Sequence, residues 1–290
     1  MNLSSSTAAQ LTDSFGREVN YLRLSVTDRC NLRCTYCMAE DMTFLPKQQI
    51  LSLEELRDTA AAFVDLGVRK IRLTGGEPLI RRDILKLVGS LASLPGLDEL
   101  AMTSNGVMLP SMAQPLKDAG LSRINISIDS LKPERFKALT RVGNLHEVLA
   151  GIKAAAAVGF KRIKLNAVIL AGFNEDKVLD LARFAVDNNM DISFIEEMPL
   201  GEISSHKRSN TQITSEQIRE QLDLAFNLLD SAETTGGPSR YVAVAGSQSK
   251  IGFISPMSNN FCSSCNRVRL TAEGRLLLCL GNEHSVDLRE

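Results

Sequence analysis

The stretch NYLRLSVTDRCNLRCTYCM (20–38) passes from a β-rich run directly into three cysteines spaced C-x3-C-x2-C. Residues 20–27 read as a strand, and the same pattern of a β-rich run ending in Gly, Asn, Ser or Asp recurs at 68–74, 97–103, 123–129, 160–169 and 191–198. Helical spacing fills the gaps. In 52–66, Ser52 and Glu55 fit a capping box, and Leu53, Leu56, Ala60 and Phe63 form an apolar stripe. In 174–189, Asn174 reads as the cap, with Val178, Leu181 and Ala185 on one face. Strand–helix alternation predicts an α/β fold, a parallel sheet covered by helices through right-handed crossovers. Six such units make a partial (βα)6 TIM-like barrel and not the closed eight.

In barrels of this kind the working residues sit at the C-terminal ends of the strands. Those ends hold the unusual residues here: the cysteine loop, GGEP (75–78), TSNG (103–106), and Ser127 with Asp129. Beyond about residue 200 the pattern changes. A polar loop (201–212) and a helix start at Thr214–Gln217 lead to YVAVAG (241–246), KIGFI (250–254) and RVRLTAEGRLLLCL (267–280). These read as a C-terminal antiparallel β appendix able to cover the open side of the barrel. The expected organisation is a flexible N-terminus (1–12), a barrel (13–200) and a C-terminal region (201–290).

The 290 residues are 44% hydrophobic and 23% charged, an ordinary globular composition. Net charge is −1, which gives no reason to expect nucleic acid or acidic membranes as partners. No apolar run approaches the roughly 20 residues of a membrane span, and the start, MNLSSSTAAQLTD, lacks the marks of a targeting segment. A cytoplasmic location is expected. The six cysteines are too few for a disulfide scaffold, and a reducing compartment leaves them to metals or chemistry.

Zinc is the plain reading of any C-x2-C pair, but structural zinc takes four ligands, and no histidine lies near Cys30, Cys34 and Cys37. Three thiolates on one loop suit an iron–sulfur cubane with one iron left open. The second set, Cys262, Cys265 and Cys279, is spaced C-x2-C-x13-C, and His284 could complete a Cys3His zinc site. Both readings stay open for that set.

An aromatic residue, Tyr36, directly before the last cysteine of the first set, followed by GGEP, resembles the radical S-adenosylmethionine superfamily. More narrowly, 13–38, IRLTGGEPLIRRD (71–83) and NFCSSCNRVRLTAEGRLLLCL (260–280) together resemble the GTP 3′,8-cyclase family of molybdenum cofactor biosynthesis. That resemblance implies two [4Fe–4S] clusters, one on Cys30, Cys34 and Cys37 and one on Cys262, Cys265 and Cys279. It implies S-adenosylmethionine as cofactor, met by Tyr36, Gly76, Ser127 and Met198. It also implies GTP as substrate, in a pocket lined by Arg23, Arg72, Thr103, Lys164, Arg267 and Arg269, with the guanine against the second cluster. The implied reaction is radical cyclisation of GTP to 3′,8-cyclo-7,8-dihydro-GTP. Implied partners are an electron donor such as flavodoxin or ferredoxin, a downstream cyclic pyranopterin monophosphate synthase, and a second copy of the chain.

The residues have plainer readings too. Arg72 and Lys164 alternate with apolar neighbours and would face solvent on an open sheet, whereas in a barrel that face is the lumen. Met198 alone reads as core, Ser127 as a solvated strand end, and glycines 75 and 76 as room for a ligand. His146 and His206 are assigned nothing. Other readings are a radical enzyme acting on a peptide and a zinc-stabilised protein without chemistry. The family continues past the position of Glu290 to a tail ending in two glycines. The 290-residue chain is therefore expected to bind both ligands but to cyclise little.

Overall fold

The computed structural model describes residues 10–199, 211–280 and 284–290. His206, residues 1–9 of the expected flexible N-terminus and most of the polar loop at 201–212 lie outside them. The six expected strands are present as β1 (Tyr21–Ser25), β2 (Lys70–Thr74), β3 (Glu99–Ser104), β4 (Arg123–Ser127), β5 (Ile163–Ile169) and β6 (Asp191–Glu196). Among the described residues seven α-helices alternate with or follow them: α1 (Leu53–Asp65), α2 (Ile84–Ala92), α3 (Leu109–Asp118), α4 (Pro133–Thr140), α5 (Leu145–Ala157), α6 (Val178–Asp187) and α7 (Ser215–Asp223). The chain then adds β7 (Leu228–Asp230), β8 (Arg240–Val244), β9 (Lys250–Ile254), β10 (Arg267–Leu270), β11 (Arg275–Leu277) and β12 (Ser285–Asp287).

All twelve strands form one sheet in the order β12-β11-β10-β1-β2-β3-β4-β5-β6-β9-β8-β7. The α/β barrel class is borne out, and so are C-terminal antiparallel strands: β7 and β8 on one margin, β11 and β12 on the other. The structure adds that β10 pairs parallel with β1 and β9 parallel with β6, so eight parallel strands run side by side. Two of the three-residue strands, β7 and β12, have no signal in the sequence reading.

Local chemistry explains the helices. Ser52 accepts from the Glu55 N–H at 3.1 Å while Glu55 accepts from the Ser52 N–H at 2.7 Å, the reciprocal cap expected of α1. Leu56, Ala60, Phe63 and Val64 are the buried face of that helix. Thr214 and Gln217 cap α7 in the same way. Asn174 departs from expectation. Its side chain caps nothing; it accepts from the Leu170 N–H and donates to the Asp129 and Val168 carbonyls, tying the end of β4 to the end of β5.

The strands alternate strictly. Leu22, Leu24, Ile71, Leu73, Ile124 and Ile126 pack into the core beneath the helices. The intervening positions on β1 to β6 are mostly polar or charged and share the concave face of the curled sheet. A parallel sheet covered by helices on both faces reads as continuous apolar strands; alternation here means that only one face is covered by helices.

Candidate active site in the barrel lumen

The cysteine loop lies at the mouth of the barrel. Cys30, Cys34 and Cys37 are free thiols, and burial pushes all three up in pKa. Cys34 is raised further by Asp129 and by the other two thiols, which places all three within electrostatic reach of one another. Arg33 folds back onto the carbonyls of Cys30 and Leu32, at 2.7 and 2.9 Å. The Leu32 N–H, at 3.4 Å, and the Asn105 amide, at 4.0 Å, both donate to the Cys30 sulfur.

GGEP packs against this loop. The Gly76 and Glu77 N–H groups donate to the Thr27 and Arg29 carbonyls at 2.9 and 2.8 Å. A Cβ on Gly76 would lie 2.2 Å from the Arg29 carbonyl oxygen, and one on Gly75 2.5 Å from that of Thr27. The glycines therefore make room first for the cysteine loop's own backbone. Glu77, 1% exposed, accepts from the Leu79 and Asn105 N–H groups and the Ser104 hydroxyl. Burial nonetheless pushes its carboxyl up to about 7. Asn105 in turn donates to Asn31 at 2.7 Å, inside the cysteine loop.

Tyr36 donates its hydroxyl to Asp129 at 2.7 Å, and the Val168 N–H donates to the other oxygen of that carboxylate. Burial raises Asp129 to about 6 against these bonds. Ser127 is half-buried at the end of β4, and Met198 half-buried just past β6, so neither is simple core.

Deeper in, register aligns three guanidinium groups: Arg269 on β10 opposite Arg23 on β1, and Arg23 opposite Arg72 on β2. Arg72 (7% exposed) and Lys164 (6% exposed) are buried in the lumen and do not face solvent. Arg72 donates to the Tyr21 hydroxyl at 2.6 Å and approaches Thr103 at 3.5 Å. Lys164 donates to the Tyr241 hydroxyl at 3.2 Å. Gly252 leaves room beside Tyr241, since a Cβ there would lie 2.1 Å from the Ser239 hydroxyl, 2.7 Å from that of Ser193 and 3.0 Å from the Tyr241 ring.

Five cations, Arg23, Arg72, Lys164, Arg267 and Arg269, thus share a space in which the described acceptors are phenols, one threonine and the Cys265 sulfur. Burial, with Arg72 and Arg267 adding repulsion, pushes Arg23 down to about 10. Burial and the charges of Arg23 and Arg267 push Arg269 down to about 9. Burial raises Tyr21, but Arg72, Arg23 and Lys70 outweigh it and bring its phenol down to about 8. The Arg23 Nε is buried with no acceptor among the described residues. The carboxylates sit nearer the strand starts, where Glu99 pairs with Lys70 at 2.6 Å and with Arg123 at 3.1 Å. Such a chamber suits a polyanion.

The second cysteine set lies at the open side. Cys262 and Cys265 share one tight turn, with the Cys265 N–H on the Cys262 carbonyl, and Cys279 is exposed after β11. Arg267 reaches the Cys265 sulfur at 3.8 Å, and Arg17, paired with Asp13, donates to the Cys262 carbonyl. A cleft of about 370 Å³ opens here, with Glu233, Tyr241, Phe261, Cys265 and Arg267 in its walls. Among the described residues no three His, Cys, Asp or Glu side chains converge as they would on a single metal ion. Each set is instead three cysteines on or beside a loop, with cationic or amide donors nearby, a donor set that fits a cubane.

Tyr21, Glu77, Asn105, Asn125, Asn166 and Tyr241 were not singled out from sequence. Only their place on the polar alternation of a strand, or beside GGEP and TSNG, pointed to them. His146 is exposed in the first turn of α5. No helix among the described residues is long and apolar enough to cross a membrane.

Residues 24–185 match the radical SAM superfamily, and residues 190–290 match the family described as Molybdenum Cofactor Synthesis C. A GTP 3′,8-cyclase of Pseudomonas entomophila (strain L48) is 63% identical over 97% of this chain and 84% of its own length. One from Ectopseudomonas mendocina (strain ymp) is 58% identical over 97% and 85%. Among solved structures, Streptococcus suis SuiB superposes with a TM-score of 0.67 at 15% identity, covering 94% of this chain and 64% of SuiB. Methylornithine synthase (PylB) gives 0.55 at 18% identity over 70% and 62%. At these identities the structures speak for the fold alone.

Proposed function

The chain belongs to the GTP 3′,8-cyclases of the radical S-adenosylmethionine superfamily, and on that premise we propose how its residues divide the work of converting GTP to 3′,8-cyclo-7,8-dihydro-GTP. The observation that carries the assignment is the row of cations, Arg269, Arg23 and Arg72, with Lys164 and Arg267, in a lumen capped by the Cys30–Cys37 loop. A triphosphate supplies the negative charge this row lacks, and planar guanidinium groups pair with its oxygens.

When bound, a [4Fe–4S] cluster with S-adenosylmethionine supplies the radical that starts the reaction. Cys30, Cys34 and Cys37 hold that cluster, and the Asn105–Asn31 and Gly76–Thr27 bonds fix the loop that carries them. Gly76, Ser127, Tyr36 and Met198 surround S-adenosylmethionine at the mouth. The Tyr36 hydroxyl is already held by Asp129, so its contact with that ligand is through ring or backbone.

Arg23, Arg72, Lys164, Arg267 and Arg269 hold the phosphates, with Thr103 beside Arg72. Cys262, Cys265 and Cys279 would hold a second [4Fe–4S] cluster, and the cleft beside Arg267 would take the guanine. The electron for the first cluster would come from a donor such as flavodoxin or ferredoxin, and a cyclic pyranopterin monophosphate synthase would consume the product.

The test is incubation of the anaerobically reconstituted protein with reductant, S-adenosylmethionine and GTP. The products that read the two steps are 5′-deoxyadenosine and the cyclised nucleotide. Cys34→Ala should abolish both, whereas Cys265→Ala should keep some cleavage to 5′-deoxyadenosine and lose the cyclised nucleotide. Equal loss of both in a Cys265→Ala protein that retains its first cluster would refute the division between the two sets.

A further inference from the structure

We infer that Tyr21 and Tyr241 are positioning residues for the nucleotide: each phenol holds one lumen cation from behind, so that the remaining N–H groups of that cation are presented to the phosphates. The assignment rests on reading the lumen as the GTP site. The two tyrosines come from distant parts of the chain, Tyr21 opening β1 and Tyr241 on β8, and each is 4% exposed. The Nε of Arg72 donates to the Tyr21 oxygen at 2.6 Å, and the Nζ of Lys164 to the Tyr241 oxygen at 3.2 Å. Arg72 and Tyr21 both lie within electrostatic reach of Lys164, so the two pairs occupy one neighbourhood.

Register shows that neither cation simply takes the residue opposite it. Arg72 stands opposite Arg23 and reaches diagonally back to Tyr21, two residues toward the strand start. Lys164 stands opposite Asp191, yet that carboxylate is engaged by Arg162 at 2.6 Å and by the Lys250 N–H at 3.0 Å. The ammonium instead reaches Tyr241, on a strand separated from β5 by β6 and β9. Both phenols are themselves held in place. The Tyr241 hydroxyl lies 3.3 Å from that of Thr235, and the Lys70 ammonium, paired with Glu99, lies 5.1 Å from the centre of the Tyr21 ring.

The chemistry of the contact matters as much as its place. A guanidinium has five N–H donors in a fixed fork, and an ammonium has three. With Nε on Tyr21, both terminal nitrogens of Arg72 are left, one of them only approaching Thr103 at 3.5 Å. With one N–H of Lys164 on Tyr241, two are left. A neutral acceptor fixes the direction of each side chain and leaves its charge for the phosphates, whereas an ion pair would offset part of it. Lysine and arginine lose much rotamer freedom when they are fixed. Here the phenols impose that loss during folding, so it does not recur when the nucleotide binds, which is the general advantage of a preorganised site.

Equilibrium dialysis of the anaerobically reconstituted protein with GTP, guanosine and S-adenosylmethionine reads the assignment. Tyr21→Phe and Tyr241→Phe keep the ring and delete only the acceptor, and each should weaken GTP about tenfold. Guanosine, which has no phosphates, and S-adenosylmethionine should bind as they do to the unsubstituted protein. A second comparison reads the route of the effect. In an Arg72→Met background Tyr21→Phe should change GTP affinity by less than about twofold, and so should Tyr241→Phe in a Lys164→Met background. The full tenfold loss in those backgrounds, or unchanged GTP affinity in either folded single variant, would overturn the assignment. Equal weakening of guanosine would overturn it too, because the tyrosines would then only pack the site. Far-ultraviolet circular dichroism reports folding, and the two pairs are read independently, so one misfolded variant leaves the other to decide. If the unsubstituted protein did not prefer GTP to guanosine, the lumen would lose its role as the phosphate site and this assignment would fall with it.

Discussion

Arg23 stands between Arg72 and Arg269 in one register row, and this crowding should make it destabilising in the ligand-free fold. Its pKa falls from 12.5 to about 10, chiefly by burial and then by the neighbouring guanidinium groups. A drop of that size corresponds to about 3 kcal/mol against the charged form. The sign is clear: at pH 7 arginine is charged in both states, and a cation whose pKa is lowered by folding costs the native state. Replacing it by an apolar residue of similar length, Arg23→Met, should therefore stabilise the ligand-free protein by about 1–3 kcal/mol, in line with other buried charges replaced by hydrophobes. Urea unfolding without nucleotide measures this. The same variant loses a charge-assisted phosphate contact and should bind GTP roughly 10- to 150-fold more weakly. Relieved of Arg23, the Tyr21 phenol should also titrate above its present value of about 8. A variant that is less stable and binds GTP unchanged would refute the reading, because Arg23 would then be a structural residue.

Gly76→Ala puts a Cβ 2.2 Å from the Arg29 carbonyl oxygen, so strand end and cysteine loop must separate. It should cost about 1–3 kcal/mol in urea unfolding and lower the iron bound on reconstitution, while Gly89→Ala, with open space at its Cβ, should do neither. Glu77 has its pKa raised from 4.5 to about 7, so its contribution to stability is complete below about 4.5 and is lost as pH rises through about 7. The ligand-free protein should lose up to about 3 kcal/mol over that window, and Glu77→Gln should flatten the profile whatever its constant offset; an unchanged slope would place the titration elsewhere.

Much of the barrel was legible because its signals are local. The capping boxes at Ser52 and Thr214, the apolar stripe of α1 and six β-rich runs each lie within a few consecutive residues. What escaped depends on partners far along the chain. Nothing near β9 or β10 says that they join β6 and β1 in parallel, because strand pairing is settled by the whole sheet. Asn174 shows the same limit from the other side. It has the composition and position of a helix cap, yet its amide is used to join two strand ends, since buried carbonyls there had no other donor.

For the site, the cysteines and GGEP were visible as motifs, but the lumen was visible only as an ambiguity. Arg72 and Lys164 alternate with apolar neighbours, a pattern that a solvent-facing sheet and a ligand-lined barrel both produce. The structure decides between them through curvature: Lys164 on β5 meets Tyr241 on β8, and Lys70 on β2 meets the Thr235 carbonyl just before β8. Once the polar face is enclosed, the same residues that would be well hydrated outside become costly, and Glu99 offsets only the cations near the strand starts. In the upper lumen the row Arg269, Arg23 and Arg72 has no carboxylate opposite it in register, whereas Lys164 has Asp191. The phosphates of a nucleotide answer that deficit. The outer face, continuous in Leu, Ile and Val beneath the helices, supplies the stability that lets the inner face remain unsatisfied until substrate arrives.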